Sequence, residues 1–208
     1  MRLTKEQADE NRGHILETAT QLFCRYGFNA VSVAQLMRTA GFTHGGFYNH
    51  FVSKQALAAE ACSRVFARAQ AELSRALRGG TEQAWGLYAA ELLSAERVDT
   101  PSSVCSLATL ATDASRAGPE LQALFAQGIN ALLETLRAHL GNGDARMLAI
   151  QRLSELVGAW VLAQAVARAD PELSNEVRSA HRARWRSGPL RNQRVGRGRR
   201  ARLQAGRR

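Results

Sequence analysis

The chain has 208 residues, 45% of them hydrophobic, which is enough for one or two globular domains with a true core. The charged first residues have no apolar stretch of the secretory type, and no apolar run approaches the roughly 18 residues that span a bilayer, so neither a secreted nor a membrane protein is expected. The three cysteines, Cys24, Cys62 and Cys105, are too widely spaced for a metal motif or a disulfide framework, as is typical of proteins in a reducing cytoplasm.

The net charge of +10 is unevenly distributed. Eleven of the 28 basic residues are arginines between positions 182 and 208, a stretch without an acid, and the rest of the chain has 17 basic against 18 acidic residues. Residues 186–208 are rich in arginine and glycine and predict a disordered tail, which is either a functional arm or the product of a shifted reading frame. A nucleic-acid site must therefore be argued from the remaining residues.

The first predicted helix covers about residues 6–25 and ends at Gly27, a residue that readily forms a left-handed stop. One face of this helix is apolar at helical spacing. That face comprises Ile15, Ala19, Leu22, Phe23 and Tyr26. Such a stripe predicts that the helix packs on a core.

A second helix is predicted over residues 33–40, because Ser32 and Gln35 form a capping box at its start. Leu36 and Met37 are expected to face inward. Gly41 ends the helix, and residues 41–43 have the length and the glycine of the turn in a helix-turn-helix.

A short third helix follows, capped by Thr43, and three phenylalanines, Phe42, Phe47 and Phe51, are expected to hold it against the core. Its other faces present His44, Gly45, Tyr48 and Asn49. A short helix that is anchored from behind and polar in front is typical of a recognition helix. Ser53 caps a fourth helix that extends to about Leu77.

The residues after position 80 predict only amphipathic helices, separated by glycine and proline breaks. Their predicted ranges are 81–97, 104–116, 119–140, 144–168 and 171–184. The expected fold is all-α. It divides into a three-helix helix-turn-helix DNA-binding domain at 1–55, a helical ligand-binding and dimerisation domain at 56–185, and the tail.

Two segments together resemble the TetR (tetracycline repressor) family of bacterial transcription regulators. They read I-L-E-T-A-T-Q-L-F-C-R-Y-G-F-N-A-V-S-V and A-G-F-T-H-G-G-F-Y-N-H-F-V-S-K-Q-A-L. A later segment, G-A-W-V-L-A-Q-A-V-A-R-A-D-P-E-L-S-N-E-V, is similar to the penultimate helix and the start of the last helix in many members. The resemblance implies a dimeric regulator, most often a repressor.

The N-terminal residues of a helix in the major groove reach the base edges, which here assigns Thr43, His44 and Gly45 to base contact, with Asn49 as a possible reader of adenine. Residues suited to phosphate contact are Ser32, Tyr48, His50 and Lys54. Each polar side chain has the alternative of a solvated or capping role. The glycines have the alternative of forming only a tight helix entry.

A single recognition helix covers few base pairs, so a homodimer on a palindromic operator is expected. The family pairs through its last two helices, here 144–168 and 171–184, where the apolar side chains are Leu148, Leu153, Leu156, Val157, Trp160 and Leu162 and where Gly158 permits close approach. The family also implies a ligand cavity between the middle helices. Its expected walls are Trp85, Tyr88, Leu92, Leu107, Leu110, Phe125 and Ile129, and they suggest a small apolar or electrophilic ligand.

Cys105 lies near the start of a predicted helix, where the helix dipole lowers the pKa of a thiol. Some relatives with the G-F-Y-x-H-F form have a cysteine near this position and sense electrophiles or oxidants through it. A redox-responsive regulator that acts through Cys105 is therefore the alternative function, and a buried structural cysteine is the alternative role. Cys24 and Cys62 lie in mid-helix and are expected to be packing residues.

Three other classes of protein fit the sequence less well. His44 and His50 are six residues apart and suit no paired metal site, and no catalytic motif is present, so we expect no enzyme, no metal and no cofactor. A second class is a small-molecule or redox sensor whose recognition helix no longer binds DNA. It is disfavoured because all the candidate DNA-contacting residues from Thr43 to Lys54 are present. The last class is an RNA or membrane binder that depends on the basic tail, which truncation would test. The expected location is the bacterial cytoplasm, on the nucleoid.

Overall fold

The computed structural model describes residues 4–78, 82–94, 103–141 and 144–186. Within these ranges the side chains of residues 82, 103–105 and 184–186 are not described. All regular structure in these residues is helical, as the sequence predicts, and no strand occurs among them. The predicted tail falls outside the described residues from position 187 onward.

The N-terminal region begins with α1 (Lys5–Tyr26), α2 (Val33–Thr39) and a 3₁₀ helix (His44–Asn49). Gly27 and Gly41 end the two α-helices with φ of 79° and 80°, so both predicted stops are confirmed. Gly27 differs from a left-handed cap in its ψ of 158°, which extends the chain towards α2. Tyr26, expected in the apolar stripe, is half exposed because it lies in the last turn, beyond the core.

Helix α3 (Lys54–Ala76) connects the N-terminal region to the rest of the chain. Ser53 caps it as predicted, because its hydroxyl accepts a hydrogen bond from the Ala56 N–H at 3.0 Å. Ion pairs join α3 to α1. Glu17 contacts Arg64 at 3.0 Å and Arg68 at 2.6 Å.

Five more helices form the C-terminal region: α4 (Glu82–Leu92), α5 (Ser103–Ala114), α6 (Pro119–Leu140), α7 (Ala145–Val166) and α8 (Pro171–Arg186). α6 packs on α3, where the rings of Phe66 and Phe125 meet edge to face with centroids 5.0 Å apart. Gly128 lies against the same Phe66 ring, and a Cβ there would overlap it. This glycine is therefore required by the close approach of α3 and α6.

The α4 helix ends at Leu92, whereas the sequence predicted a helix to residue 97. Two residues beyond this end, the Ser94 carbonyl accepts a hydrogen bond from the Arg178 side chain of α8 at 3.5 Å. The predicted domain boundary at 55/56 falls in the first turn of α3 and stays a prediction. In the part of the chain that the structure describes, no helix is long and apolar enough to cross a membrane.

Candidate nucleic-acid interface

The predicted recognition helix is a 3₁₀ helix and not an α-helix. Gly46 N–H donates to the Thr43 carbonyl at 3.1 Å and His50 N–H to the Phe47 carbonyl at 3.0 Å, both across three residues. Two adjacent glycines weaken an α-helix, and 3₁₀ bonding keeps the segment short. Thr43 occupies the predicted N-cap position, but its hydroxyl makes no capping hydrogen bond.

Phenylalanines hold this segment from behind, as the sequence predicts. Phe47 is fully buried and Phe51 is 3% exposed, while Phe42 is half-buried against the same core. The rings of Phe47 and Phe51 stack with centroids 5.8 Å apart. The backbone of the 3₁₀ helix is therefore fixed on one side by close packing.

Arg12 of α1 adds a second anchor that the sequence analysis missed. Its guanidinium lies 4.5 Å from the centre of the Phe51 ring, and its Nη2 contacts Glu60 of α3 at 2.6 Å. A cation over an aromatic face is worth about 0.5–1 kcal/mol at a partly exposed site. Arg12 is 48 residues from Glu60, and no local sequence pattern links two residues so far apart.

Most of the residues assigned to DNA contact are accessible to solvent. Six of them are exposed: Ser32, Thr43, His44, Gly45, Tyr48 and Asn49. Tyr48 is 65% exposed while its ring edge rests on Phe47 at 5.2 Å between centroids. The other two, His50 and Lys54, are half-buried. The surface is therefore polar, accessible and supported by a packed core.

The two glycines of the 3₁₀ helix are not required by the fold. Neither Gly45 nor Gly46 has a positive φ. A Cβ at Gly45 would meet nothing within 4 Å, and one at Gly46 would only touch Thr43 Oγ1 at 3.6 Å and Met37 Cε at 3.8 Å. Neither a left-handed backbone conformation nor a lack of space therefore requires glycine at position 45.

Ser32 and Lys54 each lie at the start of a helix. The Ser32 hydroxyl accepts a hydrogen bond from the Gln35 N–H at 3.1 Å, which confirms the predicted cap of α2. Lys54 opens α3, where unsatisfied backbone N–H groups favour an anion. Partial burial lowers the pKa of Lys54, and the negative charge of Asp113 acts in the opposite direction.

Six of the expected ligand-contacting residues are buried in the C-terminal region: Trp85, Tyr88, Leu92, Leu107, Leu110 and Phe125. The rings of Trp85 and Tyr88 lie 6.0 Å apart, and the guanidinium of Arg152, itself 8% exposed, is 6.0 Å from the Trp85 ring. Phe125 packs on Phe66 of α3.

Two other residues of this set stand apart. Ile129 is 40% exposed, so it does not line the interior as expected: Gly128 occupies the buried face of α6, and the next residue is turned about 100° away. The side chain of Cys105 lies outside the described residues.

The other two thiols are buried, in agreement with their predicted packing role. Burial raises the pKa of Cys24, although a hydrogen bond from Ser106 opposes the shift. Burial also raises the pKa of Cys62, to about 12. Both groups therefore remain protonated thiols at neutral pH.

The outer face of α7 carries several exposed apolar side chains, with the exposed Gln151 and Ser154 among them. Leu148 and Leu162 of the predicted dimer surface are exposed, and three exposed residues that the prediction omitted join them, namely Met147, Ile150 and Val161. Leu156 is only 2% exposed and belongs to the core of its own chain, while Leu153, Val157 and Trp160 are half-buried against that core. A Cβ at Gly158, on the outer face, would meet nothing within 4 Å.

Residues 15–61 match the family described as bacterial regulatory proteins, tetR family. The regulator AcrR of Shigella flexneri is 41% identical over 59 residues, which are 28% of this chain and 27% of AcrR. The repressor NemR of Escherichia coli K12 is 31% identical over 78 residues, 38% of this chain and 39% of NemR. The matched stretch thus spans between about a quarter and two fifths of these relatives, which are named as transcriptional regulators and not as enzymes.

Solved structures extend the similarity of fold beyond the matched stretch. The reduced form of E. coli NemR superposes with a TM-score of 0.70 at 20% identity, over 85% of this chain and 96% of NemR. A TetR-family regulator from Agrobacterium tumefaciens gives 0.71 at 19% identity, over 88% of this chain and all of the other. Residues 15–61 are therefore similar to the TetR family of bacterial regulatory proteins, and the whole described chain has the fold of solved regulators of that family.

Proposed function

We propose that this protein is a transcriptional regulator that binds double-stranded DNA through the 3₁₀ helix His44–Asn49 and the ends of α2 and α3. The observation that supports this most directly is the contrast between neighbours in one short segment. Phe47 is fully buried, whereas His44, Gly45, Tyr48 and Asn49 beside it are exposed. A rigid backbone with an accessible polar face suits insertion into a groove about 12 Å wide.

The contacts divide into base readers and phosphate binders. Thr43, His44 and Asn49 face the base edges, and Gly45 lets the backbone approach them. Ser32, Tyr48, His50 and Lys54 bind phosphates. Since Ser32 caps α2 and Lys54 is the first residue of α3, the N-termini of these two helices contact the DNA backbone.

The active species is a homodimer that pairs through α7 and α8. The exposed side chains of Met147, Ile150, Val161 and Leu162 recur on one face of α7, and Gly158 in their midst leaves room for a partner helix. Exposed apolar side chains grouped on one helix face, here with the small polar Ser154 and Gln151 among them, favour an interaction site. A symmetric pair places two reading segments on half-sites one helical turn apart, about 34–36 Å, or a multiple of it.

The dimer is tested by Gly158→Arg, which places a charged side chain in the centre of that face. Because the Cβ has open space, the variant should fold as stably as wild type but sediment as a monomer at micromolar concentration. Gly13→Arg is the matched control, since a Cβ at Gly13 also meets open space but lies on α1. An unchanged dimer in Gly158→Arg would place the interface elsewhere.

The protein acts as a repressor in the bacterial cytoplasm, and a small apolar or electrophilic molecule releases it from its operator. The relatives NemR and DhaR are named as repressors. The buried aromatic pair Trp85 and Tyr88, near Arg152, is the proposed centre of the ligand site. A ligand there lowers DNA affinity if it favours a dimer whose reading segments no longer match the half-site spacing.

Selection of bound duplexes from a random DNA pool tests the proposed function. The expected result is an inverted repeat whose half-sites are one or two helical turns apart. A variant truncated after residue 186 should select the same repeat, whereas a binder that depends on its basic tail would lose all affinity. Failure of both proteins to enrich any sequence would refute the proposal.

The alternative, a redox-responsive regulator acting through Cys105, is favoured by the likeness to a solved structure described as the reduced form of NemR. Cys24 and Cys62 are buried with raised pKa values, so a mild electrophile should spare them. After treatment with the electrophile, wild-type protein should lose its DNA binding in a binding assay, whereas Cys105→Ser should keep it. If alkylation of Cys105 leaves DNA binding intact, the alternative is refuted.

A further inference from the structure

The turn between α1 and α2 is held by a residue from the C-terminal region. Asp113, in the last turn of α5, accepts two hydrogen bonds from Asn29, one from the backbone N–H at 3.1 Å and one from Nδ2 at 2.8 Å. Each carboxylate oxygen therefore has its own donor on the same residue. Asn29 and Asp113 are 84 positions apart in the sequence.

The surroundings are shaped for this contact. A Cβ at Gly27 would lie 2.5 Å from Asp113 Oδ2, so a residue with a side chain could not occupy this position without displacing the carboxylate. An acid in the last turn of a helix also opposes the helix dipole, at a cost of about 0.3–1 kcal/mol. α5 itself gains nothing from this acid, and the benefit lies in the contact with the turn.

Each end of this connection leads to a different part of the molecule. On one side, Val31 is buried two residues after Asn29, and Ser32 then caps α2. On the other side, α5 buries Leu107 and Leu110, and it packs on α3 and α1 as well as on α7 and α6. α5 therefore contacts both the C-terminal helices and the turn that leads into α2.

We propose that Asp113 is a positioning residue for DNA binding: by holding the α1–α2 turn at Asn29, it fixes the N-terminus of α2 relative to the C-terminal region. This inference rests on the proposed function. It has the consequence that a displacement of α5 along its axis moves the phosphate-binding end of α2 with it. DNA affinity and the position of α5 are thereby thermodynamically coupled.

Three variants test the contact on the duplex selected from the random pool. Asp113→Ala removes both hydrogen bonds without weakening α5, since alanine is the better helix former. It should bind about tenfold more weakly. Asn29→Ala removes only the side-chain bond and should lose roughly threefold. Asp113→Asn should stay within twofold of wild type, because the Asn29 amide can turn round and exchange donor and acceptor with the new amide.

Glu120→Ala is the control for charge, because it removes one exposed acid from α6 and should leave affinity unchanged. Faster hydrogen exchange at the Asn29 amide in Asp113→Ala, with little change in melting temperature, would support a positioning role. If Asp113→Ala fails to fold, Asn29→Ala decides the matter by itself.

The outcomes separate this inference from the proposed function. If the wild type binds its selected duplex and Asp113→Ala or Asn29→Ala binds as tightly, the positioning role is refuted and DNA binding stands. If Asp113→Asn is as weak as Asp113→Ala, charge and not hydrogen bonding is responsible, and the inference is also refuted. If the wild type binds no duplex, the proposed function fails and this inference fails with it.

Discussion

The buried side chains of the N-terminal region, residues 4–61, differ in polarity from those of the C-terminal helices α4–α8. In the N-terminal region the described buried side chains are apolar except for Thr18 and Thr20, and Thr20 bonds its own helix at the Leu16 carbonyl. Among the C-terminal helices the interior includes two arginines, Arg152 and Arg178, at 8% and 2% exposure.

Arg178 shows what this difference means for the fold. Its guanidinium donates to the Ser174 hydroxyl at 3.4 Å, to the Ser94 carbonyl at 3.5 Å and to Gln164 Oε1 at 3.5 Å, so it joins α8 to α7 and to the end of α4. Ser174 in turn donates to the Ala163 carbonyl at 2.9 Å. The N-terminal interior is apolar, and its long-range ion pair Arg12–Glu60 is partly exposed, whereas the C-terminal interior also contains buried long-range polar contacts.

Phe47→Ala should have the largest effect, because it opens a cavity in the apolar N-terminal core. Truncation of a buried phenylalanine costs about 3–5 kcal/mol, and urea denaturation followed by circular dichroism should show this loss together with lost DNA binding. Tyr48→Ala is the matched control. Since Tyr48 is 65% exposed, its removal should change the free energy of unfolding by less than about 0.5 kcal/mol. An equal loss of free energy of unfolding in Phe47→Ala and Tyr48→Ala would contradict the anchoring role of Phe47.

Gly128→Ala tests the corresponding close contact between α3 and α6. The new methyl group would overlap the Phe66 ring, and overpacking of this kind costs about 1–3 kcal/mol. In a Phe66→Leu background, Gly128→Ala should cost less stability in thermal unfolding, because the smaller leucine side chain leaves room for the new methyl group. Additive losses in the double variant would show that the two residues do not interact.

Lys54→Ala should weaken binding to all duplexes alike, because a phosphate contact carries no sequence information. The slope of log affinity against log salt should fall by about one. His44→Ala is the comparison, with an unchanged slope and a relaxed base preference at one position. A salt slope that is identical in Lys54→Ala and wild type would remove Lys54 from the interface.

Gly45→Ala should separate stability from function. The Cβ has open space, and alanine restricts the unfolded chain more than glycine, so the free energy of unfolding should rise by up to about 1 kcal/mol. DNA affinity should fall, because the methyl group holds the backbone away from the base edges. Paired melting and binding measurements check this, and an undiminished affinity would leave Gly45 without a role in close approach.

Glu17→Gln should have the smallest effect and a definite pH dependence. A hydrogen bond from Arg68 lowers the pKa of Glu17 below its ordinary value of 4.5, with Arg64 adding to the effect. Its ion pairs therefore stabilise the fold fully above pH 4.5, by about 0.2–1 kcal/mol, and lose that effect as the pH falls through the lowered pKa. The stability difference between wild type and Glu17→Gln should disappear in acid. A difference that persisted there would exclude the carboxylate as its cause.

Prediction from sequence succeeded best where cause and effect are close along the chain. The caps Ser32 and Ser53, the stops Gly27 and Gly41, and the burial of Phe47 and Phe51 follow from spacings of a few residues. The same patterns did not distinguish a 3₁₀ helix from an α-helix, because both bury a phenylalanine at this spacing. Ile129 was misplaced for a related reason, since helical spacing alone does not show that Gly128 takes the buried face.

The sequence by itself determined the all-helical fold, the helix-turn-helix and the polar face of its third element, because each is governed by interactions within one or two helical turns. Only the tertiary structure decided that Arg12 braces Phe51, that Asp113 holds Asn29 and that α4 ends where Arg178 reaches Ser94. These contacts join residues between 39 and 84 positions apart, and their geometry exists only after the helices have packed.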